Sequence, residues 1–235
     1  MIASDGHPAV EAVVFDIGGV LLDWNPRYLY RRLFDDEAEM ERFLAEVCTL
    51  DWHDAHDRGL PLLEGCRELS RAHPEYEAEI MAWARRSEEM IAGPVTGTVQ
   101  LLRELQARGV PCYALTNMEI ETYPLRRERF AFMRWFDGTV VSSHEGVAKP
   151  DPEIFTRLLE RFDLVPETTV LIDDAPRNLV TARAVGLHAV QFQSPAQLRA
   201  WLAAAGLVDP EEPEETRDQE EPAAAQPPDP AGLDT

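Results

Sequence analysis

The sequence predicts an α/β fold: a parallel sheet covered by helices on both faces, with a helical module inserted after the first strand. Three observations carry this reading. Short apolar runs rich in β-branched residues alternate with helical patterns, as in a sheet buried on both sides. The stretch from Pro26 to Ala92 interrupts that alternation and reads as helix throughout. The turn residues Gly109 and Gly186 close helical segments just before new apolar runs, as a strand–helix–strand repeat requires.

In order, the apolar runs are Ala12–Phe15, Pro111–Leu115, a weaker Thr139–Val141, Thr169–Ile172 and Leu187–Phe192. Between them lie Thr98–Arg108, with apolar residues at helical spacing, Pro152–Phe162, whose proline suits a first turn, and Arg177–Val185. The insertion contains helical segments near Arg27–Phe34, Ala38–Thr49, Pro61–Ala72 and Glu75–Met90, and no convincing strand. The expected organisation is therefore a core of residues 1–24 plus 93–208, a helical cap of 25–92, and a tail of 209–235. The tail is rich in Pro, Glu and Ala and nearly devoid of large apolar side chains. It buries too little surface to offset its ordering entropy and is expected to be disordered. Trp24–Asn25 and Gly93–Pro94 read as the hinges between core and cap.

A formal charge of −21 disfavours nucleic acid or an anionic membrane as partner. From Asp209 onward there are ten acids and one arginine, so the tail holds nine of those net charges and the rest of the chain twelve. A small anionic substrate therefore needs a metal ion or a few focused basic groups. No apolar run approaches the ~20 residues of a membrane span. Three cysteines without metal-type spacing, and an N-terminus without a basic or long apolar segment, read as reduced thiols in a cytoplasmic protein. A monomer or a homodimer is expected.

In an open parallel sheet, ligands bind beyond the carboxyl ends of the strands. The polar residues ending these runs are Asp16, Thr116–Asn117 and Asp173–Asp174, and Lys149 follows a further run at short loop distance. Each has an ordinary alternative as a turn, a cap or a solvated side chain; their convergence on one sheet edge favours chemistry. Asp16, followed by Gly18–Gly19, can attack a phosphoryl group and split one displacement into two. Asp173 and Asp174 would repel one another without a counter-ion, and such an oxygen-rich site suits Mg²⁺. Asn178, one helical turn further on, can orient that pair or Lys149. Thr116 offers a hydroxyl, and the backbone N–H groups of Thr116 and Asn117 can hold phosphoryl oxygens. The Lys149 ammonium can neutralise charge on the nucleophile and on the transferring group.

Taken together and in this order, FDIGGVL, LTN, KPDPEIF and IDDAPRN resemble the four motifs of the haloacid dehalogenase (HAD)-like hydrolase superfamily, over most of Ala12 to Phe192. The helical insertion resembles the small cap of its C1-capped members, subfamily I. The resemblance implies a doubly wound parallel sheet with the first strand central. It implies Asp16 as a transiently phosphorylated nucleophile, Thr116 as the phosphate-binding hydroxyl and Lys149 as the neutralising lysine. It also implies Mg²⁺ held by Asp16, the Gly18 carbonyl and Asp174, with Asp173 as a direct or water-mediated supporter.

One departure matters. Family phosphatases mostly carry a second Asp two positions after the nucleophile, as general acid and base; here that residue is Gly18. Such an acid is typically worth ~10²–10⁴-fold. Members acting on sugar 1-phosphates resemble this chain in an FDxG-type first motif and an RG pair in the cap, and an anomeric leaving group needs less acid help. The implied activity is thus a Mg²⁺-dependent phosphatase of a small phosphorylated metabolite, with sugar phosphates an attractive class.

The segment Leu50–Gly59 is dense in polar and aromatic groups. His53 and His56, three apart, share a helix face; a metal site there requires further ligands placed beside them, and a solvated cap helix is the ordinary reading. The preferred reading is that His53, His56 and Arg58 close over the site, bind the leaving group and lend a proton. Two rivals remain: a metal-free 2-haloacid dehalogenase, which the Asp173–Asp174 pair disfavours, and a catalytically silent HAD-like binding module, which the full set of polar residues disfavours.

Overall fold

The computed structural model describes residues 9–210, so the expectation of a disordered acidic tail falls almost wholly outside the described residues. The chain runs through β1 (Ala12–Phe15), β2 (Leu22–Trp24), α1 (Arg27–Tyr30), α2 (Glu37–Glu46), α3 (Leu50–Asp57), α4 (Leu62–Ala72) and α5 (Glu77–Arg85). It continues through β3 (Ile91–Pro94), α6 (Thr96–Ala107), β4 (Cys112–Thr116), α7 (Thr122–Arg129), β5 (Gly138–Val141) and α8 (Ser142–Glu145). The last described elements are α9 (Pro152–Phe162), β6 (Thr169–Asp173), α10 (Pro176–Ala184), β7 (His188–Gln191) and α11 (Pro195–Ala204).

The main sheet is wholly parallel in the order β5-β4-β1-β6-β7, placing the first strand at its centre. Alternation within AVVF explains how both faces are filled. Val13 and Phe15 join Leu101 and Leu105 of α6 and Leu198 and Leu202 of α11 in one core. Val14 points the other way, to Phe155 and Leu158 of α9 and Leu179 of α10. Helices therefore cover both faces, and the sheet is the doubly wound α/β type. Local signals set several helix starts: Asp151 caps α9 by accepting from Glu153 N at 3.0 Å, and Ser194 caps α11 through Gln197 N at 3.1 Å.

The insertion after β1 is helical and packs around its own cluster, in which Tyr30 lies 5.1 Å from Phe43 and 5.9 Å from Trp83, centroid to centroid. It is entered and left through a small antiparallel ribbon in which Asp23 faces Gly93. This ribbon differs from the sequence expectation of a strand-free insertion, because β3 begins at Ile91, before the residues read as a hinge. LDW and IAGP are too short to show a period of two, and only their mutual pairing makes them strands. Several boundaries also shift: α2 ends at Glu46, freeing Thr49 to cap α3 through Trp52 N at 3.0 Å.

The insertion lies against the core. Gly59, at φ +102°, approaches the Ser143 carbonyl so closely that a Cβ there would stand 3.0 Å from its oxygen. Arg126 of α7 reaches Glu88 across the same boundary, Nε to Oε1 3.1 Å. All three cysteines are free and buried. Among the described residues no helix is long and apolar enough to cross a membrane.

Candidate active site

Because every strand of the main sheet is parallel, the residues that end β1, β4 and β6 emerge on one edge. Asp16 follows β1, Thr116 ends β4 and Asp173 ends β6. Lys149, held at the end of its loop, is fully buried between two of them. Its Nζ lies 2.9 Å from Asp16 Oδ2 and 2.6 Å from Asp173 Oδ2. Burial alone would lower the Lys149 pKa, but the two carboxylates outweigh it and hold the ammonium charged.

The loop that carries Lys149 is fixed by Asn117. Asn117 Nδ2 donates to the Lys149 carbonyl and Lys149 N–H donates to Asn117 Oδ1, both at 2.9 Å. The Asn117 amide is thus engaged with backbone, while Asn117 still borders the cavity above the sheet. Asn178 plays the matching part for Asp173, donating from Nδ2 to its two oxygens at 2.9 and 3.1 Å; Ala175 N–H adds a third bond at 2.9 Å. Of the two orienting roles open to Asn178, the structure has it on the acid.

Asp16 receives Ile17 N–H at 2.7 Å on Oδ1 in addition to Lys149 on Oδ2. Burial, with Asp173 and Asp174 adding to it, pushes its carboxyl up to about 7 against the pull of Lys149. Asp174 stands on the open side of the pair. Its pKa is raised by burial and then by Asp173, and no ion pair to a basic side chain reaches it among the described residues. One oxygen from each of Asp16, Asp173 and Asp174 falls within 4.8 Å of the others. Three carboxylates against a single ammonium leave a negative pocket of hard oxygen donors, which fits a divalent cation such as Mg²⁺.

Gly18 and Gly19 differ in what they do. Gly19 has φ +73°, and a Cβ on it would stand 2.4 Å from Asp174 Oδ2, so the backbone there passes close under the acid. A Cβ on Gly18 would meet nothing within 4 Å, so space for a side chain exists at that position. Thr116 is fully buried, its hydroxyl donating only a long 3.4 Å bond to the Asn117 carbonyl; Asn117 and Met118, rather than Thr116, border the cavity.

That cavity, about 510 Å³, lies between the strand ends and the insertion. His53 reaches it from α3, but His56 and Arg58 do not. The His56 ring turns into the insertion, its Nδ1 2.9 Å from the Leu60 carbonyl and its Cε1–Nε2 edge against Gly65. Arg58 does not border the cavity and is paired with Asp54, which does, Nε to Oδ2 2.8 Å. The physical reason is helix geometry: residues four apart, His53 and Asp57, share the core-facing side of α3, whereas His56 and Arg58 are rotated off it.

The sequence reading missed three residues here. Asp57 borders the cavity from α3, and Glu119 and Arg126 border it from the segment after β4. Glu119 Oε1 lies 3.3 Å from His53 Nε2, and its Oε2 lies 3.6 Å from Arg126 Nη1. Burial would raise the Glu119 pKa, but Arg126, His53 and the Thr122 hydroxyl together hold it at about 2. His53 is lowered, first by burial, and stays neutral near pH 7. The i, i+4 spacing of His53 and Asp57 was a readable signal; the Glu119–Arg126 link, across a turn, was not.

Residues 10–186 match the family model of the haloacid dehalogenase-like hydrolases. A sesquiterpene phosphatase, astK, of Aspergillus oryzae is 30% identical over 178 residues, covering 75% of this chain and 87% of that one. A phosphorylated carbohydrates phosphatase of Thermotoga maritima is 25% identical over 209 residues, covering 86% and 96%. Among solved structures, a HAD family enzyme of Bacteroides thetaiotaomicron, in complex with magnesium and inorganic phosphate, superposes with a TM-score of 0.58 at 19% identity, covering 79% of this chain and 95% of that one. The motif order, the central first strand and these likenesses agree, and the chain belongs to the haloacid dehalogenase-like hydrolases.

Proposed function

We propose that the protein is a Mg²⁺-dependent phosphomonoester hydrolase that acts on a small phosphorylated metabolite through a phosphorylated Asp16, with residues 25–92 as a cap of the C1 type. The observation that carries this is the cluster of Asp16, Asp173 and Asp174 around one buried lysine, with one oxygen of each acid within 4.8 Å of the others. Asp16, the Gly18 carbonyl and Asp174 would hold the cation, with Asp173 supporting. Bound there, it would offset the repulsion between the Asp16 carboxylate and an anionic phosphate.

Each remaining part follows from the chain's own residues. The Ile17 N–H and Lys149 fix the Asp16 carboxylate for attack on phosphorus. The Asn117 backbone N–H would receive a phosphoryl oxygen, and the buried Thr116 hydroxyl would do so by turning away from its long bond to the Asn117 carbonyl. Asn117 holds Lys149 by its backbone, and Asn178 holds Asp173, so the ammonium is placed before substrate arrives. The insertion covers the cavity and would keep water from the acyl phosphate until the leaving group departs.

The metal-free dehalogenase is disfavoured by Asp174, a third acid beside a nucleophile with no basic partner among the described residues. For the leaving group, a sugar is supported by the likeness to the carbohydrate phosphatase. Trp24, Leu44, Trp83 and Ile91, which border the cavity on the insertion side, favour an apolar leaving group as a second reading, in keeping with the sesquiterpene phosphatase. A phosphate-release screen with Mg²⁺ and with EDTA, over sugar phosphates, isoprenyl monophosphates and nucleotides, tests the proposal. Release that needs Mg²⁺ and vanishes in Asp16→Asn supports it; full activity in EDTA contradicts it.

A further inference from the structure

Resting on that reading, we propose that Asp57, on the cap helix α3, is the general acid and base of this site, replacing from above the carboxyl that Gly18 lacks. The cavity is bordered by four acids outside the Asp16 cluster, and three of them are engaged. Glu41 pairs with Arg27 at 2.6 Å, Asp54 with Arg58 at 2.8 Å and Glu119 with Arg126 at 3.6 Å. Asp57 is different. It is 9% exposed, and its Oδ1 is buried with no hydrogen-bond partner among the described residues. Asp57 borders the cavity, and a carboxyl oxygen left buried and unpartnered beside it is a costly feature that structure alone does not require.

Its surroundings favour the protonated form. Burial raises the Asp57 pKa well above the ordinary carboxylate range, Glu119 and Asp54 add to this, Lys149 opposes it, and Asp16 adds again. His53, whose Nε2 is 3.8 Å from Asp57 Oδ1, is kept neutral by burial and gives little compensating charge. A carboxylic acid held neutral in a pocket it shares with the nucleophile is suited to donating a proton. His53 is the poorer donor because its imidazole is neutral, and Arg58 is turned away.

The proton balance closes. In the first step a carboxylate oxygen of Asp16 bonds to phosphorus and the ester P–O bond breaks. The departing oxygen takes the Asp57 proton and leaves as an alcohol. In the second step the Asp57 carboxylate takes a proton from water as the water oxygen bonds to phosphorus. The P–O bond to Asp16 breaks, phosphate is released, and both acids return to their starting forms.

The test compares leaving groups. In wild type, kcat/KM across substituted phenyl phosphates should depend only weakly on leaving-group pKa, because the oxygen leaves with a proton. Asp57→Asn should lose about 10²–10⁴-fold on a simple alkyl phosphate and far less on p-nitrophenyl phosphate, and its dependence on leaving group should steepen. It should melt no lower than wild type, since it removes a buried ionisable group. Gly18→Asp, which enters open space, should restore part of the alkyl phosphate activity in the Asp57→Asn background. Equal losses on both esters, or a steep leaving-group dependence already in wild type, overturn the proposal; the wild-type measurement stands even if the variant does not fold. Absence of phosphate release from every ester by wild type would instead overturn the phosphatase reading on which it rests.

Discussion

Asp16 has both oxygens engaged, by Ile17 N–H and by Lys149, so replacing it with asparagine changes its charge and nucleophilicity while leaving shape almost untouched. Asp16→Asn should therefore fold, with an unchanged melting profile or a higher one given the burial of the acid, and release phosphate only at background rate. Gly19→Ala makes a different demand. The residue sits at positive φ and its new methyl would meet Asp174, so the acid must swing away. The expected result is a stability loss of about 1–2 kcal/mol by thermal melting and a Mg²⁺ requirement raised by about 10–100-fold in activity titrations. At this scale Asp16, Lys149 and Asp173 were legible because each sits where an apolar run or its following loop ends. Asp57 was legible only in part: its i, i+4 spacing from His53 is visible, but only the orientation of α3 shows that Asp57, and neither His56 nor Arg58, borders the cavity.

Between elements, the segment after β4 joins core to insertion through charge. Glu119 is buried between His53 of α3 and Arg126 of α7, and Arg126 also reaches Glu88. The Glu119 pKa in the folded protein, about 2, lies below its ordinary value of 4.5. The folded state therefore binds its proton less readily than the unfolded chain. The stability Glu119 contributes is fully present above about pH 5 and is lost as pH falls towards 2. Unfolding by denaturant across that range should show the loss, and Glu119→Gln should flatten it while destabilising the protein by about 3–5 kcal/mol at neutral pH. Sequence periodicity located the buried strands β1, β4 and β6, whose side chains are apolar on both faces. It could not find β2 and β3, whose three and four residues become strands only by pairing with each other.

Over the whole molecule, a net charge of −21 surrounds a site that must accept an anion. The nearest remedy is local: Lys149 neutralises one charge of the three-acid cluster, and a divalent cation would neutralise the rest. Phosphate release should therefore disappear in EDTA and return with added Mg²⁺. Asp174→Ala should either abolish it or raise the Mg²⁺ requirement, with folding intact by circular dichroism. Topology was readable at this scale because a parallel sheet forces its strand ends onto one edge, whichever helices connect them. The identity of the leaving group was not, since it depends on how the insertion closes the cavity. The central claim is that Asp16 becomes covalently phosphorylated, and acid quenching during turnover with Mg²⁺, followed by peptide mass spectrometry, tests it most directly. The account predicts a phosphoryl group on the peptide containing Asp16, removed by hydroxylamine and absent from Asp16→Asn; sustained turnover by Asp16→Asn, or a phosphoryl group trapped on another residue, would contradict it.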